Sequence, residues 1–334
     1  MPSTGRDALI APVHVVAGLL RDGGRIFITR RHAAAHQGGL WEFPGGKLAP
    51  GEDVYRGLVR ELDEELGIVV RSAHPFTRVH YVYPERPVLL DVWSITSFDG
   101  IPHGREGQGA CWREIGALLP SEFPPADRPV LRRLQLPRLY VISDVARYGP
   151  DAFKAKLERA LMAGARLVQL REPAFDTETF CAYAREMGAL CHRYGAKLLI
   201  NADPGLVAAC GADGVHLTAR RLAALTARPV APDLLVGASC HDLAELQQAQ
   251  AIEADFALLS PVRPTPSHPQ AAPLGWEAFQ ALCGATHMPV YALGGLRADD
   301  APRALRAGAV GVAMISGIWQ AEDIESAVKA VLAG

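Results

Sequence analysis

The chain has 334 residues, 49% of them hydrophobic and 21% charged, with a formal net charge of −2 at pH 7. That length suits two domains better than one. The composition excludes a disordered tail and a membrane protein, and the near-neutral charge leaves no global basic field for nucleic acid or an anionic membrane.

Six cysteines (Cys111, Cys181, Cys191, Cys210, Cys240, Cys283) are scattered, with no C-x-x-C pair. This argues against zinc and against a disulfide framework, and predicts reduced, buried thiols. The start, MPSTGRDALIAPVHVV, lacks the charged-then-apolar pattern of a secretory leader. No apolar run approaches the roughly 18 residues of a membrane span, so a cytoplasmic protein is expected.

Strand-like runs come first in the chain: VHVVAGLL (13–20), RIFITRR (25–31), TRVHYVY (77–83) and VLLDVWSI (88–95). One amphipathic helix, 53–66, lies among them, which predicts a mixed α/β domain. The segment 120–137, PSEFPPADRPVLRRLQLP, then places five prolines in eighteen residues. Such a density disfavours a continuous helix or a central strand, and the domain boundary is expected near 136–138.

Beyond it, strands and helices alternate. Candidate strands are 139–143, 166–170, 197–201, 214–217, 234–238, 256–260, 289–294 and 310–314. Helix-patterned stretches include 151–163, 176–194, 242–252, 275–284 and 298–307. Eight strands with crossovers fit a (β/α)8 TIM barrel, with a doubly wound open sheet as the alternative, because periodicity does not reveal closure.

The helix 53–66 leads into RELDEELG (60–67), with four acids in five positions, Glu61, Asp63, Glu64 and Glu65. Residues three and four apart share a helix face. Glu61, Glu64 and Glu65 therefore fall within an arc of roughly 100° at 3.6 residues per turn. They lie beside an apolar stripe of Leu58, Leu62 and Leu66, while Arg60 and Asp63 fall on the other side. Crowded carboxylates repel unless a cation sits between them, and a hard divalent ion such as Mg2+ takes oxygen ligands. A solvated acidic face is the plain alternative.

The flanks decide against that alternative. From Gly46 the chain reads G46, five residues, E52, seven residues, R60-E61-L62, D63, E64-E65, L66, G67-I68. This matches the Nudix signature G-x5-E-x7-R-E-U-x-E-E-x-G-U at every fixed position. IFITRRHAAAHQGGLWEFPGGK (26–47), HGREGQGACW (103–112) and FPPADRPVLRRL (123–134) extend a resemblance to the MutT-type 8-oxo-dGTP diphosphatases over about residues 10–136. The resemblance implies a Nudix domain over 8–136, a mixed sheet between helices. Its activity would be Mg2+-dependent hydrolysis of a nucleoside triphosphate, 8-oxo-dGTP, to the monophosphate and pyrophosphate, with Mn2+ as a substitute metal. The role would be nucleotide-pool sanitation and mutation avoidance.

Carried over by position, the resemblance makes the Gly46 carbonyl, Glu61, Glu64, Glu65 and Glu106 metal ligands. Either Glu61 or Glu106 would be the general base, and Arg60 and Glu52 would brace the catalytic turn. Arg31, His36, Phe43 and Asp127 would surround the nucleotide, Arg31 as a phosphate partner and His36 through its backbone. Arg31 as solvated surface and Phe43 as core are the plain alternatives, and Trp41 is placed near the same mouth, on the base or packed in the core or rim. Asp127 stands where the family often carries Asn. An ionised Asp only accepts hydrogen bonds, so it would repel a purine O6 unless protonated.

The second region resembles thiamine phosphate synthase and its TenI-like relatives over about 138–333. The carriers are LYVISD (139–144), GARLVQLRE (164–172), GADGVHL (211–217), SPVRPTPSHP (260–269), VYALGGL (290–296) and GAVGVAMISGIW (308–319). The barrel domain is drawn at 138–334. Gly294-Gly295 and the Ile315-Ser316 backbone follow strands seven and eight, where such barrels bind phosphate. In the family, an Asn-Asp pair and an acidic pair hold Mg2+, and here those places read Asn201-Ala202 and Arg220-Arg221, with Asp203 one position late. Two family lysines become Pro173 and His268. The histidine that TenI-like thiazole tautomerases use falls at Ser260-Pro261, leaving His216 and His241 as acid–base or structural candidates. The barrel is expected to have lost thiamine phosphate synthesis and to take a small phosphorylated ligand. Two further readings stay open: hydrolysis of a thiamine-pathway pyrophosphate, and a barrel that senses a thiamine phosphate without catalysis. No nucleic acid or membrane partner is expected.

Overall fold

The computed structural model describes residues 11–34, 36–265, 270 and 272–333. Residues 8–10, His268 and Gly334, which the sequence reading includes, lie outside the described residues. The chain divides between Gln135 and Leu136 into two compact units.

The first unit runs β1 (Val13–Asp22), β2 (Arg25–Arg30), β3 (Trp41–Glu42), β4 (Gly45–Lys47), α1 (Val54–Leu66), β5 (Val69–Val82), β6 (Pro87–Asp99), β7 (Ala110–Glu114) and α2 (Arg128–Gln135). Its sheet has the order β3-β2-β1-β6-β5, with β4 paired to β1 and β7 to β2. β1 and β6 are parallel and the other pairs antiparallel, so the sheet is mixed. Residues 16–20 of β1 are buried in succession. A central strand covered on both faces reads as a continuous apolar run rather than an alternation.

One face of the sheet packs Val16, Leu20 and Phe27 against Leu58, Leu62 and Leu66 of α1. Burying each leucine contributes about 2 kcal/mol. The other face packs Leu19, Ile28 and Phe43 against Phe123, Val130 and Leu131. The proline-rich segment is therefore core of this unit and not a break before the barrel. Pro129 sits in the first turn of α2, where a missing N–H leaves no intrahelical bond unmade. β5 also begins eight residues before the expected strand 77–83. Register shifts at Val70/Ser72, Ser72/Ala73 and Pro75/Thr77 interrupt its alternation there.

In the second unit the strands are β8 (Leu139–Ile142), β9 (Leu167–Leu170), β10 (Lys197–Ile200), β11 (Gly214–Leu217), β12 (Leu235–Cys240), β13 (Phe256–Leu259), β14 (Val290–Ala292) and β15 (Gly311–Met314). Between and after them lie α3 (Val145–Tyr148), α4 (Pro150–Met162), α5 (Thr177–Arg193), α6 (Val207–Cys210) and α7 (Ala219–Ala223). α8 (Leu243–Ala251), α9 (Gly275–Gly284), α10 (Ala301–Arg306), α11 (Ser316–Trp319) and α12 (Ile324–Ala333) complete the ring. The strands form a closed barrel in chain order, and β15 pairs with β8 in parallel, Val312 opposite Leu139. Closure excludes the open doubly wound sheet.

Tyr140, Leu199, Phe256 and Tyr291 fill the barrel interior. A larger apolar layer, including Phe153, Leu157 and Trp319, lies between strands and helices. All six cysteines are free, four of them buried. No described helix is long and apolar enough to cross a membrane.

Candidate active site

α1 presents the acids. Asp53 caps its start, accepting the Arg56 N–H at 3.1 Å. Gly67 ends it in the left-handed conformation, its N–H returning to Asp63 at 2.9 Å. The carbonyls left free in the last turn are taken by the loop 103–108: His103 N–H donates to Leu66, and Arg105 N–H donates to Glu65 at 2.9 Å. The Arg105 guanidinium adds a bond to the Asp63 carbonyl at 2.9 Å. This docking carries Glu106 to the acids of the helix.

Glu61, Glu65 and Glu106 line one cleft of about 110 Å³, together with Arg30, His32, Glu42, Gly45 and Gln108. Glu65 accepts the Gly45 N–H at 2.7 Å and the Gln108 amide at 3.3 Å. Glu61 lies against Gly46, where a Cβ would stand 2.1 Å from its Oε2, so a side chain there would displace the Glu61 carboxylate. Burial pushes the Glu61 and Glu65 carboxyls above their usual range, and the charges of Glu64 and Glu106 add to this. Glu64 stands outside the cleft, exposed and 3.1 Å from Arg60, and Asp63 is exposed on the helix flank. The cleft wall carries Gly45 where Gly46 was expected.

A hard divalent cation fits these donors in kind, since they are carboxylate oxygens that outnumber the cations lining the cleft. They do not form a ready cage: among the described residues no three acidic, histidine or cysteine side chains converge as a metal-binding group. Mg2+ commonly binds through one or two carboxylates plus substrate phosphates and water, so an open set of this type suits it.

Arg60 and Glu52 form the brace below the cleft. Arg60 Nε and Nη2 each donate to Glu52 at 2.8 Å, and Glu52 also accepts the Ala49 N–H at 2.8 Å. These bonds hold the Glu52 carboxyl down at about 2. Arg60 Nη1 reaches Glu61 at 2.9 Å, so the same guanidinium ties the 47–52 turn to a cleft acid.

A second cluster adjoins the cleft through Glu42. Arg31 pairs with Glu42 and donates to the His36 carbonyl at 2.9 Å. The His36 ring stands edge-on to Tyr83 at 5.1 Å, and Phe43, 3% exposed, stacks on Phe123 at 5.6 Å. Trp41 is half-buried against the apolar cluster of Phe43 and Phe123 and lies near the guanidiniums of Arg30 and Arg113. Asp127 is 8% exposed, and the Ala126 N–H beside it donates to the Tyr83 hydroxyl at 3.2 Å. Burial, then the charge of Glu42, pushes the Asp127 carboxyl from 3.8 up to about 8, with Arg31 opposing. Glu42 itself is pushed up to about 7 by burial, against the pull of Arg31. Sequence reading missed Glu42, Tyr83 and Gln108. Each stands beside or within a quoted motif, but only tertiary contact brings them together.

The barrel has a cavity of about 310 Å³ at the C-terminal ends of its strands, where such folds place their sites. Gly294, Gly295, Ile315 and Ser316 all line it, as do Arg171, Asn201, Arg220 and His241. His216 lies deeper, fully buried, bonded to Ser239 Oγ at 3.0 Å and facing the Tyr140 hydroxyl at 3.4 Å. Burial pushes it down to about 3, so it is a neutral structural group and not a cavity acid. Tyr140, Gln169 and Asn201 continue that polar chain, with bonds of 3.1 and 3.0 Å.

Comparison with known proteins gives two matches. Residues 15–133 match the NUDIX domain family and residues 139–318 the thiamine monophosphate synthase family. The 8-oxo-dGTP diphosphatase of Escherichia coli strain K12 is 39% identical over 124 residues, 37% of this chain and 96% of that protein. A thiamine-phosphate synthase of Chloroflexus aurantiacus is 33% identical over 193 residues, 58% of this chain and 89% of that protein. Among solved structures, thiamine phosphate pyrophosphorylase from Pyrococcus furiosus superimposes with a TM-score of 0.50 at 28% identity, covering 58% of this chain and 93% of that one.

Proposed function

The chain belongs to the Nudix hydrolases through its first unit and to the thiamine monophosphate synthase family through its second; from this we propose that it is a Mg2+-dependent nucleoside triphosphate pyrophosphohydrolase, acting on 8-oxo-dGTP in the cytoplasm, with a barrel that no longer makes thiamine phosphate.

The observation that carries the reading is that Glu61, Glu65 and Glu106 line one cleft, and that Glu42 in the same lining pairs with Arg31 and acts by its charge on Asp127. A bound divalent ion would neutralise phosphate charge and acidify a coordinated water. Glu61 and Glu65 would hold that ion, with Glu64 swinging in from the rim and the Gly46 carbonyl beside it. Glu106 is the one cleft acid of the three whose carboxylate is tied to no described protein donor. It is therefore the group free to take the proton of the attacking water. Arg60 and Glu52 keep Glu61 and the 47–52 turn in register.

For the base, Asp127 solves the problem its identity raises. Held neutral by burial, its carboxyl donates through O–H to a purine O6 and accepts from ring N–H. A protonated Asp then performs the role of Asn, with Phe43 against the ring and Arg31 at the phosphates. Turnover of 8-oxo-dGTP, dGTP and dCTP with product analysis tests this. Equal rates on all three would sink the purine reading, and release of orthophosphate in place of pyrophosphate would sink the reaction class.

For the barrel, the supporting observation is that Arg220 stands in the cavity wall where one of a metal-binding acidic pair is expected, and that Asn201, also in the wall, is followed by Ala202 in place of the expected Asp. The purified protein, given a thiazole phosphate, a pyrimidine pyrophosphate and Mg2+, is expected to form no thiamine phosphate.

A further inference from the structure

The Mg2+ of the synthase reaction does not fit the barrel. Among the described residues the cavity is lined by no carboxylate at all. The acids near it in sequence are engaged elsewhere. Asp203 accepts the Gly205 N–H at 2.8 Å, Glu172 is buried against the Ser143 hydroxyl and the Val145 N–H, and Glu245 holds the His241 ring at 2.8 Å. A hard divalent ion needs oxygen ligands, and two guanidiniums in the same wall would repel it.

Those guanidiniums belong to Arg171 and Arg220. Neither has a carboxylate partner among the described residues. Their placement follows from the strand ends: Arg171 follows β9, and Thr218 after β11 caps the turn by accepting the Arg221 N–H at 3.3 Å. That turn sends Arg220 to the cavity and Leu222 to the core, while Arg221 stays out of the wall. The Arg220-Arg221 pair therefore divides into one cavity residue and one bystander. Opposite them, Leu258, Leu293 and Met314 give the cavity an apolar side, and the volume is sufficient for a small organic phosphate.

We propose that the barrel binds a phosphorylated small molecule as the metal-free anion, with Arg220 and Arg171 supplying the positive charge that a divalent ion brings in a working synthase. Guanidinium forks match phosphate oxygens bidentately and need no metal to bridge them. The same charges that exclude the ion retain the ligand. The inference deepens the reading of the barrel as a ligand-binding unit without synthesis, and the two fail by different measurements.

The test is titration calorimetry of the full-length protein with inorganic pyrophosphate in EDTA. Without metal, the acidic cleft of the first unit repels this anion, so the condition reads the barrel. Binding is expected in EDTA, weakened about tenfold or more by Arg220→Gln or Arg171→Gln and partly restored by Arg220→Lys. Arg220 is exposed, and a melting temperature matching the wild type verifies that the variant is folded. No binding in EDTA, binding that appears only when Mg2+ is supplied, or an affinity unmoved by both glutamine variants overturns the proposal. Formation of thiamine phosphate would instead remove the loss-of-synthesis reading and leave the anion site to be judged by calorimetry.

Discussion

Arg31 and Glu42 form an ion pair at the edge shared by the acidic cleft and the cluster around Asp127. Glu42 adds negative charge beside Asp127, and Glu65 adds negative charge beside Glu42. A cation in the cleft would therefore be felt at Asp127. Glu42→Gln is expected to remove the repulsion that helps keep Asp127 protonated. The pH at which purine preference is lost should fall below that of the wild type, measured as the ratio of kcat/KM on dGTP and dCTP. An unchanged midpoint would show that Glu42 does not govern Asp127.

Glu65→Gln should reduce kcat by roughly 10²–10⁴-fold while leaving the circular dichroism spectrum unchanged. Glu106→Gln should lose kcat with KM kept, as expected for a group that acts on the water and not on the nucleotide. Glu64→Gln is also expected to abolish turnover. Near-normal rates there would show that the exposed acid never joins the metal. Because the cleft is not a closed cage, Mg2+ alone should bind weakly, and a non-hydrolysable nucleotide should tighten it. Calorimetry with and without nucleotide checks this.

Arg60→Lys tests the brace. A lysine cannot make the two parallel bonds to Glu52 and reach Glu61 as well. Turnover should fall by about a hundredfold through misplacement of Glu61, with a lower melting temperature and little change in KM. Full activity in this variant would remove the brace from the mechanism.

Two buried groups set opposite slopes in stability against pH. The folded Asp127 carboxyl keeps its proton up to about 8, while the unfolded chain releases it near the ordinary 3.8. The folded state binds more protons across that window, so this group makes stability fall as pH rises from about 4 to 8. Asp127→Asn should raise stability at pH 8 by on the order of 1–3 kcal/mol and progressively less toward pH 4. In denaturant melts, a gain that is the same at pH 5 and pH 8 would contradict a buried neutral acid.

His216 acts in the other sense. Its folded value near 3 lies below the ordinary 6.5, so the unfolded chain binds the extra proton between those values. Stability from this group is present above about 6.5 and is lost as pH falls toward 3. His216→Gln should cost about 1–2 kcal/mol at pH 7 through its lost ring contacts, and the difference should shrink or reverse at pH 4. A constant difference across that range would mean that the imidazole is not held neutral.

The helix α1 and its acids were legible in the sequence because their logic is local: a cap, a leucine stripe at helical spacing and a glycine stop. The eight barrel strands were legible for a similar reason, each being a short apolar run between helix patterns. Closure of the barrel depends on the pairing of Val312 with Leu139, residues far apart in sequence, which no local period encodes. α2 was hidden because Pro129 breaks a helix anywhere except in its first turn. Glu42 was hidden because its meaning comes from Arg31, Glu65 and Asp127, drawn from four separate segments. The state of Asp127 could be posed from sequence, but its answer required knowing that the side chain is buried.

The loop 103–108 is hooked by its backbone to the final turn of α1. That turn is the part of a helix most prone to open, because its carbonyls have no partners further along. If it frays, Glu65 loses its seat and Glu106 loses its anchor in one event, so the cleft is disarmed as a unit and not ligand by ligand. Hydrogen exchange at residues 64–68 should thus slow in step with residues 103–106 when Mg2+ and nucleotide are added. Melting a single helical turn would then be enough to switch the cleft off.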